Sequence, residues 1–173
     1  MKHWYMLTLV GKDQPNIVAK LTDCLYHADC SLGEANMNRL GGSFTVMLMV
    51  EKKHDKATMK TLLQPIVDEF DLSLHLKAIA GNLHQHQCPN FCLRVHGADR
   101  MGIVAQVTTV LAQHEVNILD LSSDVGGTKP QPFYVLQIEG ISSQPLDKLR
   151  QVLESLQDVQ VDLSEIDVDA CII

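Results

Sequence analysis

The strongest constraint on the fold is an internal repeat of about 86 residues. Residues 7–35 and 93–121 align without a gap, and eight of the 29 aligned positions are identical. After a longer loop the match resumes at a spacing of 89, in the pairs Phe44/Phe133, Val46/Val135, Met47/Leu136 and Met49/Ile138. The spacing implies that the second copy has three extra residues. Because this period exceeds that of most solenoid repeats, the 173-residue chain is predicted to contain two similar domains.

Each copy has the same order of predicted elements. Alternating β-rich segments predict strands, and apolar residues at helical spacing predict helices. In the first copy we predict strands over residues 4–10, 31–39, 44–50 and 72–79, and helices over 17–28 and 59–70. In the second copy we predict strands over residues 91–96, 117–125, 132–139 and 159–168, and helices over 103–114 and 146–156. Pro65 lies within a helical pattern and should kink that helix or delay its start.

The predicted order is therefore βαββαβ, twice. This order is typical of the α+β, ferredoxin-like fold, a four-stranded antiparallel sheet with two helices on one face. We predict the first domain over residues 1–80 and the second over 91–173. The polar segment between them, residues 81–90, contains a proline and lacks periodicity, so it is predicted to be a linker.

The charge is unevenly distributed and excludes several functions. The net charge is −7; residues 1–86 carry nine basic and nine acidic side chains, and residues 87–173 carry five and twelve. An acidic balance disfavours direct binding to DNA or RNA. No stretch approaches the length of a membrane span, and the N-terminus lacks a signal-peptide pattern, so we expect a cytoplasmic protein. Four acidic residues lie on or beside the predicted last strand, which should be an edge of its sheet: Asp162, Glu165, Asp167 and Asp169. Their main expected role is to block unwanted strand pairing, and the second is to face a basic partner.

The cysteines and histidines do not form a familiar site. Five cysteines without a secretory signal indicate reduced thiols. One group of residues could bind a metal: His84, His86, Cys88 and Cys92. Their spacing fits no common zinc signature, and the alternative interpretation is a polar linker whose histidines and cysteines bind nothing. No nucleophile and base occur at a recognisable spacing. We therefore predict no bound metal, no cofactor and no enzymatic activity.

The loop after the first strand of each copy is the most informative motif. The two loops read Gly-Lys-Asp-Gln-Pro-Asn-Ile-Val, residues 11–18, and Gly-Ala-Asp-Arg-Met-Gly-Ile-Val, residues 97–104. Asp13 can cap the following helix and Pro15 suits its first turn. Alternatively, the N–H groups of the helix could bind a carboxylate while Asp13 or Asp99 faces an ammonium group. The residues alone leave both interpretations open.

Both loops resemble the first βα loop of ACT domains, whose usual form is Gly-x-Asp-Arg-Pro-Gly-Ile/Leu-Val, and the resemblance spans essentially the whole chain. ACT domains are βαββαβ regulatory modules that commonly bind amino acids, often between two copies. Asn16 replaces the usual glycine in the first loop, and Met101 replaces the usual proline in the second. The resemblance implies these ligand-binding residues: Asp13, Gln14, Pro15, Asn16, Ile17, Asp99, Arg100, Met101, Gly102, Ile103 and, opening the next strand, Asn117.

The tandem layout and the hairpin over residues 39–45 are most similar to the transcriptional repressors of this family. The resemblance implies a regulator that senses glycine or a similar small amino acid and represses glycine cleavage genes. It also implies action through a DNA-binding activator protein, with a homo-oligomer as a possible state. Two alternatives remain: an amino-acid-binding regulatory subunit of a metabolic enzyme, and an interaction scaffold with vestigial ligand sites.

Overall fold

The computed structural model describes residues 3–80, 87–98, 102–128 and 131–167. The chain divides into two compact units, residues 1–85 and 86–173. The first unit contains β1 (Trp4–Lys12), α1 (Ile17–His27), β2 (Leu32–Leu40), β3 (Ser43–Glu51), α2 (Lys56–Phe70) and β4 (Ser73–Ile79). The second unit contains β5 (Phe91–Ala98), α3 (Ile103–Gln113), β6 (Asn117–Thr128), β7 (Gln131–Ile141), α4 (Leu146–Glu154) and β8 (Val159–Glu165).

Each unit folds into one four-stranded sheet. The strand orders are β2-β3-β1-β4 and β6-β7-β5-β8, and every neighbouring pair is antiparallel. The predicted α+β, ferredoxin-like class is therefore confirmed. The predicted edge position of the last strand is also correct, since β5 is the one partner of β8 among the described strands, and β8 carries exposed Asp162 and Glu165. Asp169 lies outside the described residues.

The cores follow from the two periodicities of the sequence. Along β1, Leu7 and Leu9 point to one face, where they pack with Ile17, Leu21 and Leu25, one buried stripe of α1. A second core contains the corresponding residues of the other unit: Leu93, Val95, Ile103, Val107 and Leu111. Burial of these stripes fixes each pair of helices on one face of its sheet.

The sheet register corrects one part of the repeat alignment. Val46 is opposite Leu9 in the first sheet, and Leu136 is opposite Val95 in the second, so the hairpin spacing is 90 and not 89. Phe44 therefore corresponds to Tyr134. A slip of one residue moves a strand residue to the other face of the sheet, which explains why Phe44 is buried while Phe133 is 46% exposed. The second copy has four extra residues in this region, one more than predicted.

The second helix begins earlier than its proline suggested. Helix α2 starts at Lys56 and continues through Pro65, so the proline does not delay its start. The start is set by Asp55, whose carboxylate accepts a hydrogen bond of 2.7 Å from the backbone N–H of Thr58. This hydrogen bond to the ionised form lowers the pKa of Asp55 below its usual 3.8.

We expect Asp55→Ala to destabilise the first unit at neutral pH. A lowered carboxyl pKa stabilises the fold above the unfolded pKa, and that contribution is lost as the pH falls through the folded pKa. The stability difference from the parent protein should therefore be largest near pH 7 and shrink as the pH falls below 3.8. Thermal unfolding from pH 7 to pH 3 measures this. Asp55→Asn is the control, because its amide oxygen can still accept the hydrogen bond but does not titrate. A stability difference between Asp55→Ala and the parent protein that stays the same in acid would contradict the assignment.

Three of the four cysteine thiols that the structure describes are shielded by burial: Cys24, Cys30 and Cys92. Burial raises the pKa of Cys24, Cys30 and Cys92, and the charge of Asp23 adds to the effect at Cys24. Cys24 packs against the core, and its Sγ donates to the Leu62 carbonyl oxygen at 3.4 Å. Because the thiolate is the reactive form, these side chains are suited to packing rather than to nucleophilic chemistry. Cys171 lies outside the described residues.

Within the parts of the chain that the structure describes, every helix is too short or too polar to span a membrane.

Candidate functional site

The first βα loop connects the central strand of its sheet to a helix whose first N–H groups face outward from the helix end. Strand β1 ends at Lys12, residues 15 and 16 form a turn, and α1 begins at Ile17. The first intrahelical bond at this end joins the Lys20 N–H to the Asn16 carbonyl oxygen at 2.9 Å. The Asn16 side chain does not cap this helix. The N–H groups of the first turn therefore lack intrahelical acceptors, which is the arrangement that binds anions.

The residue before each of these helices adopts the same unusual backbone conformation. Asn16 has φ 71° and ψ −5°, and Gly102 has φ 102° and ψ −6°. Both angles lie in the left-handed region, which glycine enters freely and asparagine tolerates better than most residues. The departure at Asn16 from the usual glycine thus preserves the loop conformation, and the two loops share one backbone design at this position.

We expect Asn16→Gly to be nearly neutral, because glycine adopts the left-handed conformation freely. Gly102→Val should destabilise the second unit by about 1–2 kcal/mol, because in this conformation the Cβ atom lies too close to the following carbonyl oxygen. Denaturant unfolding of both variants tests the difference. Asn16→Gly is also the better variant for ligand studies, since it removes the amide side chain and keeps the turn. Equal destabilisation by both substitutions would contradict the conformational explanation.

Asp13 was predicted to cap helix α1, but it does not. The N-cap residue is Asn16, and the Asp13 carboxylate instead forms an ion pair with the Arg39 guanidinium of β2. The backbone N–H of Asp13 donates to the Gly42 carbonyl oxygen at 3.1 Å, which ties the loop to the β2–β3 hairpin. The distance along the chain between Asp13 and Arg39 concealed this pair, because only the sheet register brings them together.

The other predicted ligand residues occupy different environments. Gln14 and Pro15 are exposed beside the helix start, where a small molecule could reach them. Ile17 and Ile103 are 2% and 6% exposed, so their side chains belong to the cores and only their backbone groups face the loop. Three predicted residues lie outside the described residues: Asp99, Arg100 and Met101.

Asn117 is not brought near Gly102 within its domain. Gly102 precedes α3 and Asn117 follows it, and the 11 residues of this helix span about 16 Å. That distance exceeds the reach of a small amino acid. The Asn117 side chain instead donates from Nδ2 to the Gln87 Oε1 at 3.1 Å. If both residues contact ligands, they do so at different ends of α3.

A cleft in the first unit marks the position that corresponds to Asn117. It has a volume of about 390 Å³ and is lined by residues from the end of α1 and the start of β2: Thr22, Tyr26, Asp29, Cys30, Ser31 and Leu32. Ser31 occupies the place of Asn117, since Leu32 and Ile118 pair with Val50 and Gly140 at matching points of the two sheets. The cleft and the first loop thus lie at opposite ends of α1.

Only part of the possible metal site lies within the described residues. His84 and His86 lie outside the described residues, whereas Cys92 is buried in β5. Among the described residues, no three histidine, cysteine or acidic side chains are grouped as metal ligands would be.

The comparisons with known proteins identify the domain family of the two units. Two ACT domain models match the chain, over residues 3–77 and 93–158. The glycine cleavage system transcriptional repressor of Escherichia coli is 23% identical over 123 residues, which are 70% of this chain and 65% of that protein. The chain thus spans about two thirds of the length of this curated relative.

Two solved structures share the fold over nearly the whole chain. A protein of unknown function from Galdieria sulphuraria has a TM-score of 0.76 and 21% identity, covering 96% of this chain and 100% of its own. A candidate glycine cleavage system transcriptional repressor has a TM-score of 0.70 and 22% identity, covering 96% and 99%. The two domain matches together cover most of the sequence. The chain therefore belongs to the ACT domain family and carries two ACT domains in tandem.

Proposed function

We propose that this protein is a cytoplasmic, non-enzymatic regulator that senses glycine or a similar small amino acid and represses transcription of glycine cleavage genes. In this proposal it acts through a DNA-binding activator protein. The observation that carries the sensing role is the left-handed residue, Asn16 or Gly102, that opens a helix directly after the central strand of each ACT domain.

The chemistry of this loop suits an α-amino acid. The outward N–H groups at the start of α1 favour a carboxylate, because they carry partial positive charge and lack intrahelical acceptors. Asp13 lies beside this turn and is the acidic group that would receive the ammonium end of the ligand. Asp99, Arg100 and Met101 are proposed to play the corresponding roles in the second loop, with Asn117 contributing to a different contact surface.

The regulatory target is supported by similarity and by charge. The Escherichia coli relative is named a glycine cleavage system transcriptional repressor. A net charge of −7 opposes tight contact with a phosphate backbone, which favours a protein partner over direct DNA binding. The cleft at the end of α1 leaves a surface for such a partner separate from the loop.

A binding titration with glycine, serine and alanine tests the sensing role. We expect saturable binding that acetate and methylamine, each with only one of the two charged groups, do not reproduce. Nuclear magnetic resonance follows the backbone amides of Asn16 and Gly102, so that each loop gives its own dissociation constant. Absence of shifts at both loops with every amino acid tested would contradict the proposal and favour the scaffold with vestigial sites.

Affinity capture and DNA binding test the partner. We expect the protein to retain a DNA-binding transcription activator in a manner that glycine alters, and not to bind glycine cleavage promoter DNA by itself. Tight, salt-sensitive binding of DNA by the purified protein would contradict the indirect route. Capture of a metabolic enzyme without an activator would favour the regulatory-subunit alternative.

A further inference from the structure

In the first loop, the ion pair between Asp13 and Arg39 occupies the carboxylate that the ammonium group of an amino acid would need. The Arg39 Nη2 contacts the Asp13 Oδ2, and the aspartate side chain is only 24% exposed while the arginine side chain is 68% exposed. The carboxylate is thus mostly covered, and its partner is a solvent-facing guanidinium. Since the Asp13 N–H also binds the Gly42 carbonyl oxygen, the loop and the hairpin hold the carboxylate at this position.

The second domain has no arginine at the matching position. Arg39 is opposite Phe44, which in turn is opposite Gly11 at the end of the central strand. In the other sheet, Val125 is opposite Tyr134, which is opposite Gly97. Val125 therefore takes the place of Arg39, and it is 53% exposed and uncharged. The residue that precedes the helix has a left-handed conformation in both ACT domains, whereas the hairpin position that holds Arg39 in the first domain holds a valine in the second.

We propose that Arg39 is a built-in competitor of the ligand, which holds the Asp13 carboxylate and thereby lowers the affinity of the first loop for amino acids. This inference rests on the proposed function, because it specifies how the same loop is regulated. An incoming ammonium group must displace the guanidinium from Asp13 and is repelled by it, since both carry a positive charge. No such displacement is imposed by the valine in the second domain.

The expected effect is modest because the arginine is largely exposed. Solvent and salt screen such ion pairs, so that they change equilibrium constants by about fivefold at most. We therefore expect the competition to weaken the binding of glycine or serine at the first loop by about two- to fivefold. The difference should shrink as the salt concentration rises, since screening weakens the pair.

Residue-resolved titration of the full chain tests the proposal. Arg39→Val introduces the residue of the second domain, and Arg39→Gln provides a neutral, polar variant in case the valine perturbs the edge strand. Glycine and serine are titrated while the amides of Asn16 and Ile17 report the first loop and those of Gly102 and Ile103 report the second. We expect both variants to tighten binding two- to fivefold at the first loop and leave the second unchanged.

Two control variants separate this role from a general change in charge. Arg39→Lys keeps a cation and should retain the affinity of the parent protein. Lys53→Val removes a cation from another exposed pair of the same domain, with Asp29 at 3.6 Å, and should have no effect on the loop. Adding Asp13→Asn to Arg39→Val should abolish the gain.

The outcomes distinguish the inference from the function on which it rests. If the parent protein binds amino acids and both neutral Arg39 variants bind equally or more weakly at the first loop, the competition is refuted and the sensing role stands. Weaker binding would place Arg39 in direct contact with the ligand carboxylate. If no loop amide responds in any variant, the proposed sensing role fails, and the competition fails with it.

Discussion

Leu93→Ala is expected to lower the free energy of unfolding of the second domain by about 2–5 kcal/mol. Leu93 is fully buried on the central strand β5, opposite Ile138 on one side and Leu163 on the other. Removal of its branched end loses apolar burial and leaves a cavity that the neighbouring strands can fill only partly. Hydrogen exchange resolved by peptide measures the change, since protection in β5 should fall.

The first domain provides the reciprocal experiment. Leu7 is fully buried at the corresponding position of β1, so Leu7→Ala should reduce protection in the first sheet in the same way. Leu121→Ala is the control, because that leucine is 41% exposed on the edge strand β6. Its substitution should lower the free energy of unfolding far less than substitution of either buried leucine. Comparable losses from Leu93→Ala and Leu121→Ala would contradict the assignment of Leu93 to a tightly packed core.

Gly140→Val is the second substitution with a large expected effect, about 3 kcal/mol or more. A Cβ atom at Gly140 would lie 2.5 Å from the Asn117 carbonyl oxygen and 3.0 Å from the Phe91 ring. The oxygen belongs to the backbone, so relief requires movement of β6 relative to β7. The corresponding residue of the first domain is Val50, which is fully buried, so the two sheets pack this position differently.

Because the clash begins at Cβ, Gly140→Ala should already incur much of the cost, and chemical denaturation of both variants measures it. Gln137→Val is the matched control, since Gln137 lies on the same strand and is partly exposed, on the face away from the helices. We expect it to stay within about 0.5 kcal/mol of the parent protein. A mild effect of Gly140→Ala together with a severe effect of Gly140→Val would assign the cost to side-chain volume instead.

The candidate site was only partly predictable from its residues. The loop was identified because Gly11, Asp13 and Ile17 recur with Gly97, Asp99 and Ile103 at one spacing, a local pattern that requires no knowledge of contacts. The predicted capping role of Asp13 was wrong, because a carboxylate four positions before the first residue of a helix can reach either the helix amides or a cation on a neighbouring strand. Which of these it reaches depends on where Arg39 lies.

The sequence by itself determined the number of domains, the order of their elements and the faces of the helices. These features follow from periodicity and from backbone preferences, which act over a few residues. The tertiary structure alone decided the 90-residue hairpin spacing and the Asp13–Arg39 ion pair. Both depend on strand register, and a slip of one residue, which local preferences scarcely oppose, moves every side chain of a strand to the other face of the sheet.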